Sequence, residues 1–203
     1  MSSSAPLVTP FEGEGTDLVV LRAAMARFSA YGYKRTSMED IASEAKVSRP
    51  TLYSYFKNKQ AILRAVSEGI HTSVMANVEL ALDADEPLES RLFNAFLAWS
   101  EPFVGILFDS RHGAELIGAN SALAADLSAG AKDEFHRLVV KTLTKAKKKG
   151  EIDLADLEGT LADVADFLIF SLNGLSAGDT DIDTYKQRIQ TLVRVFLLAS
   201  RSS

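Results

Sequence analysis

An all-α fold is predicted by three features of the sequence. Apolar residues recur at spacings of three and four, no stretch alternates apolar and polar residues as a half-buried strand does, and capping residues and glycines bracket the periodic stretches. The 203 residues are 47% hydrophobic and 24% charged, enough for one large or two small domains with a core and too apolar for global disorder. The absence of cysteine excludes disulfides, thiolate zinc sites, iron–sulfur clusters and cysteine nucleophiles. No apolar run reaches the roughly eighteen residues of a membrane span, and Met1 to Gly15 carries neither a basic region nor a long apolar stretch. The expected setting is therefore the cytoplasm, with no membrane partner.

The elements follow in order. Residues 1–16 mix Ser, Pro and Gly without periodicity and are expected to form a disordered arm. From Asp17, the residues Leu18, Leu21, Met25 and Phe28 define a first helix that stops before Gly32. Ser37 and Asp40 form a capping pair that opens a short second helix through Ala45, with Ile41, Ala42 and Ala45 turned inward. A third begins at Arg49-Pro50, because proline fits a first helical turn, and runs to about Phe56. A fourth starts near Asn58 and carries Ile62, Leu63, Val66 and Ile70. Further on, Leu88, Leu92, Phe96 and Trp99 form one stripe, and Phe135, Leu138, Val139, Thr142 and Leu143 form another in a helix ending at Lys149-Gly150. Two longer seams close the chain. One runs through Leu157, Leu161, Val164, Leu168, Leu172 and Leu175, the other through Ile182, Tyr185, Ile189, Leu192 and Phe196.

The charge is unevenly spread. Residues 17–66 hold nine lysines and arginines against four acids, a balance of +5, whereas the whole chain stands at −5. Within this basic stretch the second and third helices have the makings of a helix-turn-helix, in which two short helices cross steeply and the first needs a small residue where the backbones meet. Ala42 is that residue; the turn follows at Lys46, and the next helix buries Leu52 and Phe56. Its outward residues Ser48, Arg49, Thr51, Tyr53 and Tyr55 are donors and phenols suited to phosphates and base edges in a major groove. Lys59, at the start of the fourth helix, is a further candidate for a phosphate, and Thr36 and Ser37 can cap a helix and touch a phosphate together. Lys46 is a fourth phosphate candidate.

The segment TSMEDIASEAKVSRPTLYSYFKNKQAIL, preceded by LRAAMARFSAYGYKR, closely resembles the DNA-binding head of the TetR family of transcriptional regulators. The likeness spans roughly residues 17–66, with Tyr53, Phe56 and Lys59 in register. It implies a helix-turn-helix head joined to a larger helical body at 67–203 that binds a small molecule and dimerises. It also implies a repressor that leaves a palindromic double-stranded operator when that ligand binds. Lys46 departs from the family pattern, which has glycine there because the residue tends to be left-handed; a side chain at such a position costs about 1 kcal/mol.

For the body, the aromatic residues Phe96, Trp99, Phe103 and Phe108 are expected to wall an apolar effector pocket beside the continuation of the fourth helix, since only Glu101 is ionised between Leu92 and Phe108. The two seams would leave broad apolar stripes on a monomer, which makes Leu161, Val164, Leu168, Leu172, Ile189, Leu192 and Phe196 the expected homodimer interface. No cofactor and no metal is expected, because His71, His112 and His136 stand apart without ligand spacing. The lysines at 145 and 147–149 read as cations complementing a helix C-terminus. Two alternatives stay open. One is a DNA-binding regulator that answers to a protein partner or to nothing; the other is a hydrolase built on Ser128, Asp133 and His136, which lacks any nucleophile elbow or phosphate loop to support it.

Overall fold

A computed structural model describes residues 9–154 apart from Ser110, together with 159–176 and 181–200; the side chains of 105–109 lie outside the description. Nine helices make up the described residues. They are α1 (Thr16–Tyr31), α2 (Met38–Glu44), α3 (Arg49–Tyr55), α4 (Lys59–Leu82), α5 (Leu88–Asp109), α6 (Gly113–Leu123), α7 (Ala125–Lys149), α8 (Leu161–Leu175) and α9 (Ile182–Ala199). Several ends are written in the local sequence. Ser37 and Asp40 exchange hydrogen bonds in a capping box at the start of α2, and Thr160 and Asp163 do the same for α8. Ser48 caps α3 with Pro50 in its first turn, and Asp181 accepts from the Thr184 N–H to open α9. At the far ends, Gly32 follows α1 with φ 85° and Gly150 follows α7 with φ 71°.

The chain divides into two compact units. One takes the described residues up to Ser73 together with 105–130; the other takes 74–104 with the residues from 131 onward. Helices α4, α5 and α7 each contribute to both. The first unit is built on a core of Val20, Ala24, Phe28, Ile41, Leu52, Ile62 and Val66, against which Leu116, Ala119 and Leu123 of α6 pack. This compact unit is thus discontinuous in sequence and includes residues outside the 17–66 stretch of basic charge. It also absorbs part of the expected arm. Phe11 is buried in the same core, so residues 9–15 are anchored, whereas residues 1–8 lie outside the description.

In the second unit, Phe96 of α5 meets the edge of Phe135 on α7, and Trp99 stacks on the same ring with centroids 4.4 Å apart. Arg91, itself buried, pairs with Glu151 at 2.6 Å. Helix α8 packs on α9. Leu168, Leu172, Ile189 and Phe196 are buried within the protomer, and Leu161, Val164 and Leu192 are half-buried. A three-four stripe marks the buried side of a helix, and four of these seven residues are covered by their own subunit. The large apolar residues that the two helices leave exposed are Phe167, Phe170, Val195 and Leu198. Leu157, the first residue of the seam, lies outside the described residues.

Candidate nucleic-acid interface

The bihelical element is assembled by short-range chemistry. Helix α2 ends on a pair of main-chain bonds, Val47 N–H to the Ala42 carbonyl at 3.0 Å and Lys46 N–H to the Ser43 carbonyl at 3.2 Å, which together form a Schellman turn. Such a turn requires a left-handed residue, and Lys46 supplies it with φ 54°. The family-like geometry is therefore kept without the glycine, and the lysine side chain points into solvent. Ala42 is buried at the crossing, and Leu52 locks α3 onto the core. Val47 and Phe56 pack against the same core from either end of α3.

The outward face of α3 presents Ser48, Arg49, Tyr53 and Tyr55, all exposed, with Thr51 half-buried. Ser48 accepts from the Thr51 N–H at 3.2 Å and shares a hydroxyl hydrogen bond with Thr51 at 2.7 Å. The Arg49 guanidinium lies 2.7 Å from a Glu39 carboxylate oxygen and 5.8 Å from the centre of the Tyr53 ring. Both partners of this ion pair are more than half exposed, where such pairs contribute little and exchange readily for a stronger anion. The arrangement offers a guanidinium, two phenols and a hydroxyl on one seven-residue helix, a set able to donate to phosphates and base edges together.

Three expected contacts sort differently. Ser37 is exposed, but its hydroxyl donates to Asp40 at 2.7 Å, and these hydrogen bonds hold the Asp40 carboxyl below its ordinary range. Thr36 is buried, and its hydroxyl donates to the Gly32 carbonyl at 2.8 Å, which braces the entry to α2. Lys59 is engaged within the head. Its ammonium donates to the carbonyls of Tyr33 at 2.7 Å and Thr36 at 2.6 Å, approaches that of Lys34 at 3.4 Å, and lies 4.5 Å from the centre of the Tyr33 ring. A lysine has three donors, and here all three face the main chain of the head. Partial burial lowers its pKa, and its role is to tie the start of α4 to the α1–α2 connection.

The structure adds residues that the pattern passed over. Lys34, Arg35 and Lys57 are exposed cations beside the helix-turn-helix, and their only sequence signal was position next to a helix end. Glu115 of α6 accepts from the Lys34 N–H at 2.7 Å and fills the space that a side chain at Gly32 would need. Arg64 of α4 grips Asp126 with both guanidinium nitrogens and reaches the Leu123 carbonyl at 3.3 Å. In the second unit, the expected pocket aromatics Phe96, Trp99 and Phe103 lie together on α5, with Phe96 fully buried and Trp99 and Phe103 half-buried. The side chain of Phe108 lies outside the described residues. The proximity of Ser128 and His136 in sequence does not become a site, because Ser128 meets His71 at 3.1 Å while His136 meets Asp166 and the Ala162 carbonyl.

A buried bihelical crossing, a capped recognition helix and a donor-rich outward face define a helix-turn-helix DNA-binding transcriptional regulator. The family model for bacterial regulatory proteins of the tetR family matches residues 20–66, the stretch that holds the helix-turn-helix. It is 24% identical over 193 residues to YvdT, an HTH-type transcriptional regulator of Bacillus subtilis, a match that covers 91% of this chain and 96% of YvdT. It is 32% identical over 107 residues to ComR, an HTH-type transcriptional repressor of Escherichia coli, covering 52% of this chain and only 50% of ComR. Among solved structures, the flavonoid-responsive regulator FrrA superposes with a TM-score of 0.58 at 22% identity, over 92% of this chain and 97% of FrrA. No helix among the described residues is long and apolar enough to cross a membrane.

Proposed function

We propose that the protein binds a palindromic operator as a homodimer in the cytoplasm, represses transcription there, and releases the DNA when a small apolar or aromatic molecule enters its helical body. The observation that carries this reading is the outward face of α3, where Arg49, Tyr53, Tyr55 and Ser48 are exposed together on a helix whose other side is locked into the head. The charge of +5 over residues 17–66 supports an electrostatic, salt-sensitive grip on the phosphates. Lys46, Lys34, Arg35 and Lys57 replace Lys59 and Thr36 as the phosphate contacts in this reading. Repression is the mode named for ComR, which supports that sign of control. The apolar effector is supported by the ring cluster of Phe96, Trp99, Phe103 and Phe135, and FrrA is named for an aromatic ligand class. The homodimer is supported by the exposed residues Phe167, Phe170, Val195 and Leu198 of α8 and α9.

A pull-down of genomic DNA with the protein identifies the operator, and binding to it is then measured across salt concentrations. Arg49→Ala and Tyr53→Ala are each expected to weaken binding by roughly 1 to 3 kcal/mol without changing the fold. Parent-like affinity in both variants overturns the assignment of α3. Trp99 is the only tryptophan, so an effector that releases DNA is expected to change its emission. Unchanged emission, with full response in Trp99→Ala and Phe103→Ala, refutes the pocket; release by no small molecule, only by a protein, refutes the ligand-controlled reading.

A further inference from the structure

The head contains one contact that none of the DNA-binding geometry uses. Phe11 precedes α1 and adopts φ 66°, a left-handed backbone that a bulky side chain avoids unless its surroundings impose it. Its side chain is buried in the head core. The ring lies over Gly69 of α4 so closely that a Cβ built at Gly69 would stand 2.2 Å from Phe11 Cε1, 3.0 Å from Cζ and 3.1 Å from Cδ1. No side chain fits there while the ring is in place. The backbone that follows the ring is fixed from α1, where Arg22 donates to the Phe11 carbonyl and to the Gly13 carbonyl, the latter at 2.8 Å. Leu18 of α1 closes against Gly13. A glycine in the middle of a 24-residue helix is otherwise a liability, because it costs helix stability that alanine would supply.

We propose that residues 9–15 form a strap across the head, seated by an aromatic plug at Gly69 and tied down by Arg22, and that this strap fixes α4 against α1. Helix α4 is then held to α1 and the α1–α2 connection at two separated points, at Lys59 by the carbonyls of that connection and at Gly69 by the strap. Ten residues of helix, about 15 Å, lie between them. The glycine is explained as a socket, and the strained backbone at Phe11 as the cost of turning the ring into it. With the strap released, α4 loses its tie to α1 at Gly69 and keeps those at Lys59 and Arg64, so the segment acts as a conformational latch on α4 within the head.

The test is a cycle of four full-length chains: parent, Phe11→Ala, Gly69→Ala and the double variant. Thermal unfolding is followed by far-UV circular dichroism, and native-state cleavage after Glu12 and Glu14 by a glutamate-specific protease. A seated plug predicts that Gly69→Ala lowers the unfolding midpoint of the parent but leaves it unchanged or raises it in the Phe11→Ala chain, so the penalty vanishes with the ring. It also predicts that Phe11→Ala speeds cleavage by at least about tenfold, equivalent to about 1.4 kcal/mol of lost strap binding. Should Gly69→Ala fail to fold, a folded double variant supports the socket and an unfolded one overturns it. An equal effect of Gly69→Ala in both backgrounds, or cleavage that Phe11→Ala leaves unchanged, overturns the proposal.

Discussion

Lys46 shows how a single residue can keep a geometry that its chemistry resists. The Schellman turn after α2 demands a left-handed residue, and the lysine adopts φ 54° to provide it. Lys46→Gly is therefore expected to raise stability by about 1 kcal/mol, measured by urea unfolding, because glycine pays no steric penalty there. A loss of stability on this change would show that the lysine side chain makes a compensating contact. The position was legible in the sequence, since the residue that ends a helix before a turn can be located from the flanking pattern. Lys59 was legible only as a cation. Its three main-chain acceptors lie 23 to 26 residues away, and no local spacing reports a half-buried ammonium pinned by carbonyls of an earlier turn.

Helices were legible where their boundaries rest on local chemistry. The capping box of Ser37 and Asp40, Pro50 in the first turn of α3 and the glycines after α1 and α7 all act within a few residues. Which side of a helix meets which neighbour was less legible. The seams of α8 and α9 show helical spacing, but periodicity identifies a buried face without naming what covers it. The clasp between α4 and the α6–α7 junction was invisible for the same reason, joining Arg64 to Asp126 across 62 residues. It carries a pH signature. The two hydrogen bonds from Arg64 hold the Asp126 carboxyl down to about 2, from an ordinary 3.8. The unfolded chain takes up the proton first, so the stabilisation is complete above the ordinary carboxylate range and is lost as pH falls from about 4 towards 2. Asp126→Asn is expected to be less stable than the parent at neutral pH and to lose less stability over that interval, which urea midpoints at several acid pH values will report. Parallel acid profiles in the two chains would assign the clasp no role in stability.

At the scale of the whole molecule, the all-α class and the basic head were legible because composition and period survive any arrangement of the helices. The proposed assembly rests on the outward residues of α8 and α9, and the two faces of these helices separate cleanly by experiment. Leu168→Ala, in the core, is expected to cost about 2 to 5 kcal/mol of stability. Phe167→Glu or Leu198→Glu is expected to leave the fold intact and shift the sedimenting species from dimer to monomer. A parent chain that sediments as a monomer at micromolar concentration would remove this interface. The extent of the head could not be read from the sequence, since α6 joins it from beyond residue 105. Leu116, Ala119 and Leu123 cover part of its core, and Glu115 satisfies an amide beside α2. The DNA reader is therefore not a portable cassette: a fragment stopping after Ser73 would expose the apolar surface under α6. A chimera that trades heads with a relative would have to exchange α6 as well, because its Leu116, Ala119 and Leu123 are fitted to this head's core.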